Sequence, residues 1–348
     1  MVPISRNNHY VPQLYLRNWS KTPDKVWRYR LLVSHDNVPL WDHASIVSTG
    51  SFTDLYTYSD GGSESDEFEH WFNTEIEIPA NKVIAKVVEN ALLSKTDFNV
   101  LSKYVAAQYV RTPARLHKQL IFYKNELSAT IDAAFTRAVK KLEMKIEKGE
   151  QIQVDKELDI ARFIPTKVTI QKNSENGDGW LKLETILGRG VWLYEIRHVV
   201  DNTSRILQNH HWQIIKAAPG AKWCTSDDPV ICLNYCGIND YDFGGGWNRY
   251  NSEIILPLSP KHLLYTKVGS STDDNNMQEN PYYTFLFQKL IFEHAYRNIF
   301  SYSAFDNISK CRPRVVDLDI FSFEKDAWTK WYAEQTEAEQ ALKINNNH

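Results

Sequence analysis

The chain has 348 residues, of which 40 are basic and 43 acidic, and its formal net charge is −3. A chain of this length can bury a large core, and an apolar fraction of 43% excludes an intrinsically disordered protein. The balanced charge also excludes the global basic field that drives non-specific binding to nucleic acids.

The first 65 residues carry strand-forming signals. The run Lys25–Val33 alternates apolar and polar side chains and predicts a β-strand, and a second short strand is predicted over Asp54–Tyr58. Ser65 precedes a group of carboxylates, which complement the positive end of a helix dipole. Ser65 could therefore cap a helix that begins here.

A helical block follows from Asp66 to about Gly149, because apolar residues recur there with the period of an α-helix. We predict two to four helices in this block. Pro79 should kink or end the first helix and Pro113 the second, since proline lacks an amide hydrogen and clashes with the preceding turn. The polar, alanine-rich stretch 122–148 predicts a helix on the outside of the protein.

The remaining chain alternates between helical and strand-like patterns. Residues 150–205 predict further helix, interrupted by the polar and glycine-containing run 173–179. Short β-prone runs separated by turns then predict an antiparallel meander over about 210–268. Helix is predicted again over 283–302 and over 324–342, the latter with an amphipathic pattern.

These elements predict an α+β fold, because strands and helices occur in separate blocks of the sequence. We expect a helical bundle, formed by residues of about 66–205 and the C-terminal helices, to pack on the β-meander of about 210–268. The N-terminal strands should join the two. As domains we predict one α+β unit over residues 1–304 and a C-terminal extension over 305–348 that contains the amphipathic helix.

Four short motifs stand out along the chain. They are Asn8-His9-Tyr10-Val11-Pro12, Gln108 followed by Arg111-Thr112-Pro113, Thr225-Ser226-Asp227-Asp228-Pro229, and Leu256–Pro260. In order and spacing they resemble the HYVP family, the domain of unknown function 4238, over residue 8 to about residue 304. The family pattern has asparagine where this chain has Asp228. The resemblance implies no established reaction, and its only association is with toxin or phage-defence contexts.

Three residues in these motifs suit acid–base and anion-binding chemistry. His9 could act as a general acid or base, although it could equally fix the chain end against the core. Asp227 could orient His9 or a water, or it could simply bond the backbone of its own turn. Gln108 and Arg111 lie one helical turn apart and could hold an anion. The alternative for Arg111 is an internal ion pair with Glu75 or Glu77.

The candidate site therefore has His9 and Asp227 as catalytic residues. Its substrate-binding residues are Gln108, Arg111, Asn8, Tyr10, Thr225 and Ser226. We predict no metal site, although Cys224, Cys232 and Cys236 with a nearby histidine could bind zinc, and His9, Glu77 and Asp227 could bind magnesium or manganese. The sequence does not identify a cofactor.

The leading functional hypothesis is a hydrolase or nuclease-like enzyme that acts on RNA or a nucleotide, as a toxin or defence effector. It requires His9, Arg111 and Asp227 to converge in space. The alternative is a non-enzymatic protein-interaction module in which the motifs are structural, with a protein partner or a second copy of the chain as its target. Few cysteines and no long apolar run lead us to expect a cytoplasmic protein that does not bind membranes.

Overall fold

The computed structural model describes residues 4–22, 24–60, 63–150, 166–172, 179–305 and 308–344. Contacts within the chain define two compact units, and each is described by itself. The first comprises Met1–Thr57, Glu64–Ala114 and Ile196–Lys325, and the second Tyr58–Ser63, Arg115–Glu195 and Asp326–His348.

The described residues contain both strands and helices throughout. The strands are β1 Asn7–His9, β2 Lys25–Arg30, β3 Leu32–Val33, β4 Trp41–Ser45, β5 Ser51–Thr53, β6 Tyr58–Asp60, β7 Ser63–Ser65, β8 Thr166–Lys172, β9 Gly179–Thr185, β10 Gln213–Lys216, β11 Thr225–Ser226, β12 Ile231–Gly237, β13 Asp240–Asp242, β14 Ser252–Ser259, β15 His262–Lys267, β16 Asn298–Ser301 and β17 Val315–Val316. The α-helices are α1 Gln13–Leu16, α2 Glu67–Trp71, α3 Ile78–Val88, α4 Lys95–Val110, α5 Pro113–Phe122, α6 Ser128–Glu147, α7 Arg189–His198, α8 Arg205–Gln208, α9 Pro281–His294, α10 Ile308–Cys311 and α11 Leu318–Ile344. Short 3-10 helices span Arg17–Trp19, Ile46–Ser48 and Asn275–Met277, and π-helices span Phe72–Glu77, Tyr123–Leu127 and Val199–Thr203.

The main sheet of the first unit is the predicted antiparallel meander. Its five strands lie in the order β10-β15-β14-β12-β13, and each neighbouring pair is antiparallel. Every residue of β14 is buried, as is typical of a central strand. One face packs on α9, where Phe287 and Leu290 join Trp223, Ile255 and Leu263 in a hydrophobic core. The prediction of a meander and a following helix is confirmed.

A second sheet collects strands from three distant parts of the chain. Its order is β11-β16-β2-β4, with every pair antiparallel. The predicted strand over Lys25–Val33 is confirmed as β2 and β3. Because β16 lies between β11 and β2, this sheet brings Thr225 and Ser226 next to the N-terminal part of the chain.

Proline acts differently at its two predicted positions in the helical block. Pro113 begins α5 directly after α4, as expected for a residue that tolerates the first turn of a helix. Pro79 does not end its helix, because it lies within the first two residues of α3 and the chain remains helical. The π-helix Phe72–Glu77 comes immediately before it, so the hydrogen-bond pattern widens where the proline cannot donate.

The second unit corrects one prediction. Residues 166–172 and 179–185 were predicted as helix, but they form the antiparallel strands β8 and β9 with a continuous register from Thr166↔Thr185 to Lys172↔Gly179. Alternating polar and apolar side chains in Thr166–Lys172 favour a strand, and this period of two outweighs the mixed helical spacing. The later part of that prediction is confirmed, because Arg189–His198 is an α-helix and Val199–Thr203 a π-helix. Residues 151–165, and the predicted interruption at 173–178, lie outside the described residues.

Two further predictions are wrong in part. Asp54–Tyr58 is mainly a turn, because Asp54 has a φ of 58° and Thr57 donates from its backbone to the Asp54 carbonyl. The predicted helix 283–302 ends at His294, and Asn298–Ser301 pairs with β2 and β11 instead. The α+β class is confirmed, and the division at residue 304 stays a prediction. Among the described residues, no helix combines the length and apolarity needed to cross a membrane.

The N-terminus of α4 provides a direct test of local stability. The Ser94 hydroxyl accepts from the Asp97 backbone and the Asp97 carboxylate accepts from the Ser94 backbone, which forms a capping box. We expect Ser94→Ala to lower the free energy of unfolding by about 1 kcal/mol in urea titrations. Ser94→Thr keeps the acceptor and should lose less, and equal stability of the alanine variant and the unsubstituted protein would contradict the capping role.

Candidate functional site

The first motif is held in place by backbone contacts around Gly50. Strand β1 pairs with β5, and the backbone amides of Tyr10 and Val11 both donate to the Gly50 carbonyl at 2.9 and 3.1 Å. Gly50 has a φ of +67°, and a Cβ there would lie 2.9 Å from the Val11 Cβ. Asn8 is buried and links two turns, since it donates to Ser5 and accepts from the Tyr56 backbone.

His9 is only 6% exposed, and its ring contacts a backbone carbonyl. Its Nε2 lies 3.1 Å from the Val47 oxygen, and because a carbonyl only accepts, Nε2 carries the hydrogen and donates. Burial lowers the pKa of His9, while the Val47 carbonyl and the charge of Glu77 oppose this shift. His9 is therefore neutral at pH 7.

Arg111 is the most enclosed charge of the motifs, with an exposed fraction of 0%. Its Nε donates to the Tyr10 carbonyl at 3.1 Å and its Nη1 to Glu77 Oε1 at 2.7 Å. The guanidinium also lies over the Phe72 ring, 4.7 Å from its centroid. Gln108 donates weakly to the same Tyr10 carbonyl at 3.5 Å. The alternative of an internal ion pair with Glu77 is thus the arrangement that forms.

Two polar atoms beside this ion pair have no hydrogen-bond partner within the part of the chain that the structure describes. They are Nη2 of Arg111 and Oε1 of Gln108, and both are buried. The hydroxyl of Tyr104 is a third such atom. Both side chains donate to the Tyr10 carbonyl through their other nitrogens, so the unpaired donor and the unpaired acceptor belong to one group of contacts. Buried polar groups in native proteins are almost always paired, and these atoms are therefore exceptions that need an explanation.

Glu69 is a partly exposed carboxyl that completes the group. It accepts a hydrogen bond from the His9 backbone, and burial raises the pKa of Glu69 to about 7. The negative charge of Glu77 raises it further, and Arg111 opposes the shift. We refer to His9, Glu69, Glu77, Gln108 and Arg111 as the Arg111 cluster.

The π-helix explains how Glu69 and Glu77 both lie near the Arg111 guanidinium. They are eight residues apart, and on a regular α-helix such residues point about 80° away from each other. A π-helix advances by a smaller angle per residue, so the segment Phe72–Glu77 turns Glu77 back toward the face that carries Glu69. Motif reasoning missed Glu69 because its burial depends on β1, some 60 residues earlier in the chain.

The third motif is connected to the second by a hydrogen bond. The Thr112 hydroxyl donates to Asp228 Oδ1 at 3.1 Å, and the Asp228 carbonyl lies 2.9 Å from His294 Nδ1. The Asp228 backbone in turn donates to the Ser226 hydroxyl at 3.3 Å. Asp228, the position where the family pattern has asparagine, is therefore a buried acceptor for the second motif.

Asp227 uses its carboxylate to hold the chain ahead of β16. Its oxygens accept from the backbones of Tyr296, Arg297 and Asn298 and from the Asn298 side chain, at 2.9 to 3.2 Å. Burial raises the pKa of Asp227 to about 6, and these hydrogen bonds oppose the shift. The Thr225 hydroxyl pairs with Tyr15 at 2.7 Å.

The structure brings the three motifs into one connected set. Arg111 bonds the carbonyl of Tyr10, the residue after His9, and Thr112 bonds Asp228, the residue after Asp227. The charge of Asp227 also acts on the Tyr10 hydroxyl, whose pKa is raised first by burial. The catalytic and substrate-binding roles assigned to these residues stay predictions.

The alternative metal sites find no support in side-chain grouping. Cys224 and Cys232 are buried, Cys236 and Cys311 are exposed, and none of the four forms a disulfide within the described chain. Over the described ranges, no three histidine, cysteine, aspartate or glutamate side chains are grouped so as to hold a metal ion.

Fold and site together define an α+β protein with a buried ionic cluster that joins three sequence motifs. The chain belongs to the family described as "Protein of unknown function (DUF4238)", whose model matches residues 7–305. No curated protein and no solved structure matches the chain.

The ion pair between Glu77 and Arg111 predicts a large effect on stability. Glu77→Gln leaves the buried guanidinium without a counter-charge, so we expect a loss of about 3–5 kcal/mol in the free energy of unfolding, measured by urea denaturation. Glu75→Gln is the matched control, because Glu75 is exposed on the same π-helix and the charge change is the same. Equal losses in both variants would contradict the prediction.

Asp227 permits a second stability test. Asp227→Ala removes the acceptor for four donors from residues 296–298, so we expect a loss of at least about 3 kcal/mol in the free energy of unfolding.

The pKa of Asp227, about 6, exceeds the value near 3.9 of an unfolded aspartate. The protonation-linked contribution of Asp227 is therefore present below about pH 4 and is lost as the pH rises through about 6. Denaturation at pH 4 and pH 7, compared between Asp227→Asn and the unsubstituted protein, measures this contribution.

Proposed function

We propose that the chain is an enzyme that cleaves a phosphate ester, in RNA or a nucleotide, with the Arg111 cluster as its acid–base and anion-binding site. The observation that carries this proposal is that Nη2 of Arg111 and Oε1 of Gln108 are both buried without a partner among the described residues, on two side chains that share the Tyr10 carbonyl. A guanidinium donates well to phosphate oxygens, and an amide oxygen accepts from a hydroxyl. Both atoms are enclosed, so the substrate group must enter the cluster to reach them.

Two residues supply complementary protonation states. The lowered pKa of His9 leaves its imidazole neutral, so it can take a proton from the attacking hydroxyl or water. The raised pKa of Glu69 keeps part of its carboxyl protonated near pH 7, so it can give a proton to the leaving oxygen. In this scheme a new P–O bond forms to the attacking oxygen, which loses its proton to His9, and the P–O bond to the leaving group breaks as the leaving oxygen takes a proton from Glu69. Glu69 replaces Asp227 as the partner of His9.

Cleavage of RNA by this cluster is consistent with the role and the cellular location expected from the sequence. In this proposal the chain acts as a toxin or defence effector by cleaving RNA. Four cysteines that form no disulfide in the described chain suit the reducing cytoplasm where RNA is present, so we place the protein there in this proposal.

A second candidate is the non-enzymatic interaction module. It is favoured by the saturation of Asp227, whose oxygens already accept four donors, and by the complete enclosure of Arg111. In that case the motifs hold the fold, and the partner binds elsewhere on the surface.

Cleavage of fluorophore-labelled single-stranded RNA, with and without EDTA, tests the proposal. Activity should survive EDTA, and its dependence on pH should be bell-shaped. It should fall at acid pH as His9 becomes protonated and fall above about pH 7 as Glu69 loses its proton. We expect Glu69→Gln to lower kcat/KM by about 10²- to 10⁴-fold and to alter the alkaline limb. Nucleotides serve as second substrates in the same assay.

Glu67→Gln is the matched control for this experiment, because Glu67 lies on the same helix and undergoes the same change from carboxyl to amide. Circular dichroism should show both variants folded, since glutamine can still accept from the His9 backbone. If RNA and nucleotides both stay intact, or if Glu69→Gln is as active as Glu67→Gln, the interaction module becomes the better account.

A further inference from the structure

A second candidate site lies in the first unit, away from the signature motifs. It is a cavity of about 730 Å³, of the size that small-molecule ligands occupy. Its walls come from the loop 217–222 after β10, from the turn 259–262 between β14 and β15, and from Asn90 and Tyr302. We refer to this cavity as the basic pocket.

The pocket carries a local excess of positive charge in a chain whose net charge is −3. Lys216, Lys222 and Lys261 line it, whereas Glu279 is its only lining carboxylate within the ranges the structure describes. None of the three lysines forms an ion pair with a described carboxylate. The Lys222 ammonium instead lies 3.7 Å from the centroid of the Tyr302 ring. Three unneutralised ammonium groups around one cavity create a field that favours an anion.

His262 also lines the pocket, close enough to Lys216 and Lys261 to feel their charges. The Ser259 hydroxyl oxygen accepts from the backbones of Lys261 and His262, so its hydrogen points to Nδ1 of His262, 2.9 Å away. Nε2 then carries the ring hydrogen and faces the Asn90 oxygen at 3.4 Å. Burial, followed by the charges of Lys216 and Lys261, lowers the pKa of His262 to about 4.

Backbone hydrogen bonds fix the loop 217–222 of the pocket to the turn 259–262 and to α9. Ala217 donates to the Lys261 carbonyl at 3.0 Å, and Trp223 donates to the Pro260 carbonyl at 2.8 Å. Ala218 donates to the Thr284 hydroxyl at 2.9 Å, which ties the loop to α9. Such fixed backbone reduces the ordering cost of binding.

We propose that the basic pocket binds the di- or triphosphate group of a small molecule, either inorganic pyrophosphate or a nucleoside triphosphate. Three ammonium groups balance the charge of such a group, which a single phosphate would only partly neutralise. The lysines surround a cavity and do not form a stripe along the surface, so the geometry suits a compact anion better than a nucleic-acid strand. This proposal does not depend on the enzymatic function of the Arg111 cluster.

Titration calorimetry of the full chain with pyrophosphate and with ATP, at about 0.1 M salt, tests the proposal. We expect binding of one or both, weakened at least about tenfold in a Lys216→Gln and Lys261→Gln double variant, as expected for the loss of two charge-assisted contacts. The matched control is the Lys140→Gln and Lys310→Gln double variant, which removes the same charge from exposed positions. It should bind like the unsubstituted chain.

The pKa of His262, followed by NMR, is a second readout that a merely structural role of the lysines would not move. Pyrophosphate in the pocket should raise this pKa, because it neutralises the lysine charges that lower it. Binding of pyrophosphate alone would identify a site for the inorganic ion, and binding of ATP as well would identify a site for the shared phosphate group. Absence of binding at millimolar ligand, equal binding by both double variants, or an unchanged pKa of His262 would each overturn the proposal.

Discussion

The buried guanidinium of Arg111 is the interaction on which the first unit depends. Removing a full charge from water costs several kcal/mol, which is offset only when counter-charge and hydrogen bonds are in place. Arg111 obtains them from two segments: the π-helix, through the Glu77 carboxylate and the face of Phe72, and the first motif, through the Tyr10 carbonyl. The first motif and the π-helix must therefore both pack against Arg111, which follows α4, for its charge to be paired. The neighbouring Thr112 extends the same set of contacts to Asp228.

This constraint also determines the electrostatics of the cluster. The segment that supplies the Tyr10 carbonyl also buries His9 and covers Glu69, so one packing event lowers the first pKa and raises the second. The π-helix contributes by turning Glu77 toward both groups. The same arrangement thus pairs Arg111 and buries Glu69. It also leaves Nη2 of Arg111 and Oε1 of Gln108 without partners among the described residues, and this makes the cluster a candidate site.

Local pattern predicted those elements whose signals lie within the element itself. The meander over about 210–268, the strand from Lys25 and the helix break at Pro113 all follow from alternation or from proline chemistry. Asn298–Ser301 became a strand because β2 and β11 lie on either side of it, which no local pattern records. The same limit applies to the sites. Motif residues could be named individually, but the burial of Glu69 and the pairing of β10 with β15, which brings Lys216 opposite His262, depend on partners far away in the chain.

The order β11-β16-β2-β4 has a consequence for synthesis of the protein. Strands β2 and β4 leave the ribosome early and can pair at once, but the strand that belongs beside β2 ends at Ser301. Until then the edge of β2 stays open, with unpaired backbone groups that can recruit another extended chain. During most of translation the nascent chain therefore has an unpaired strand edge that can aggregate, and this edge is covered only when β16 has been synthesised.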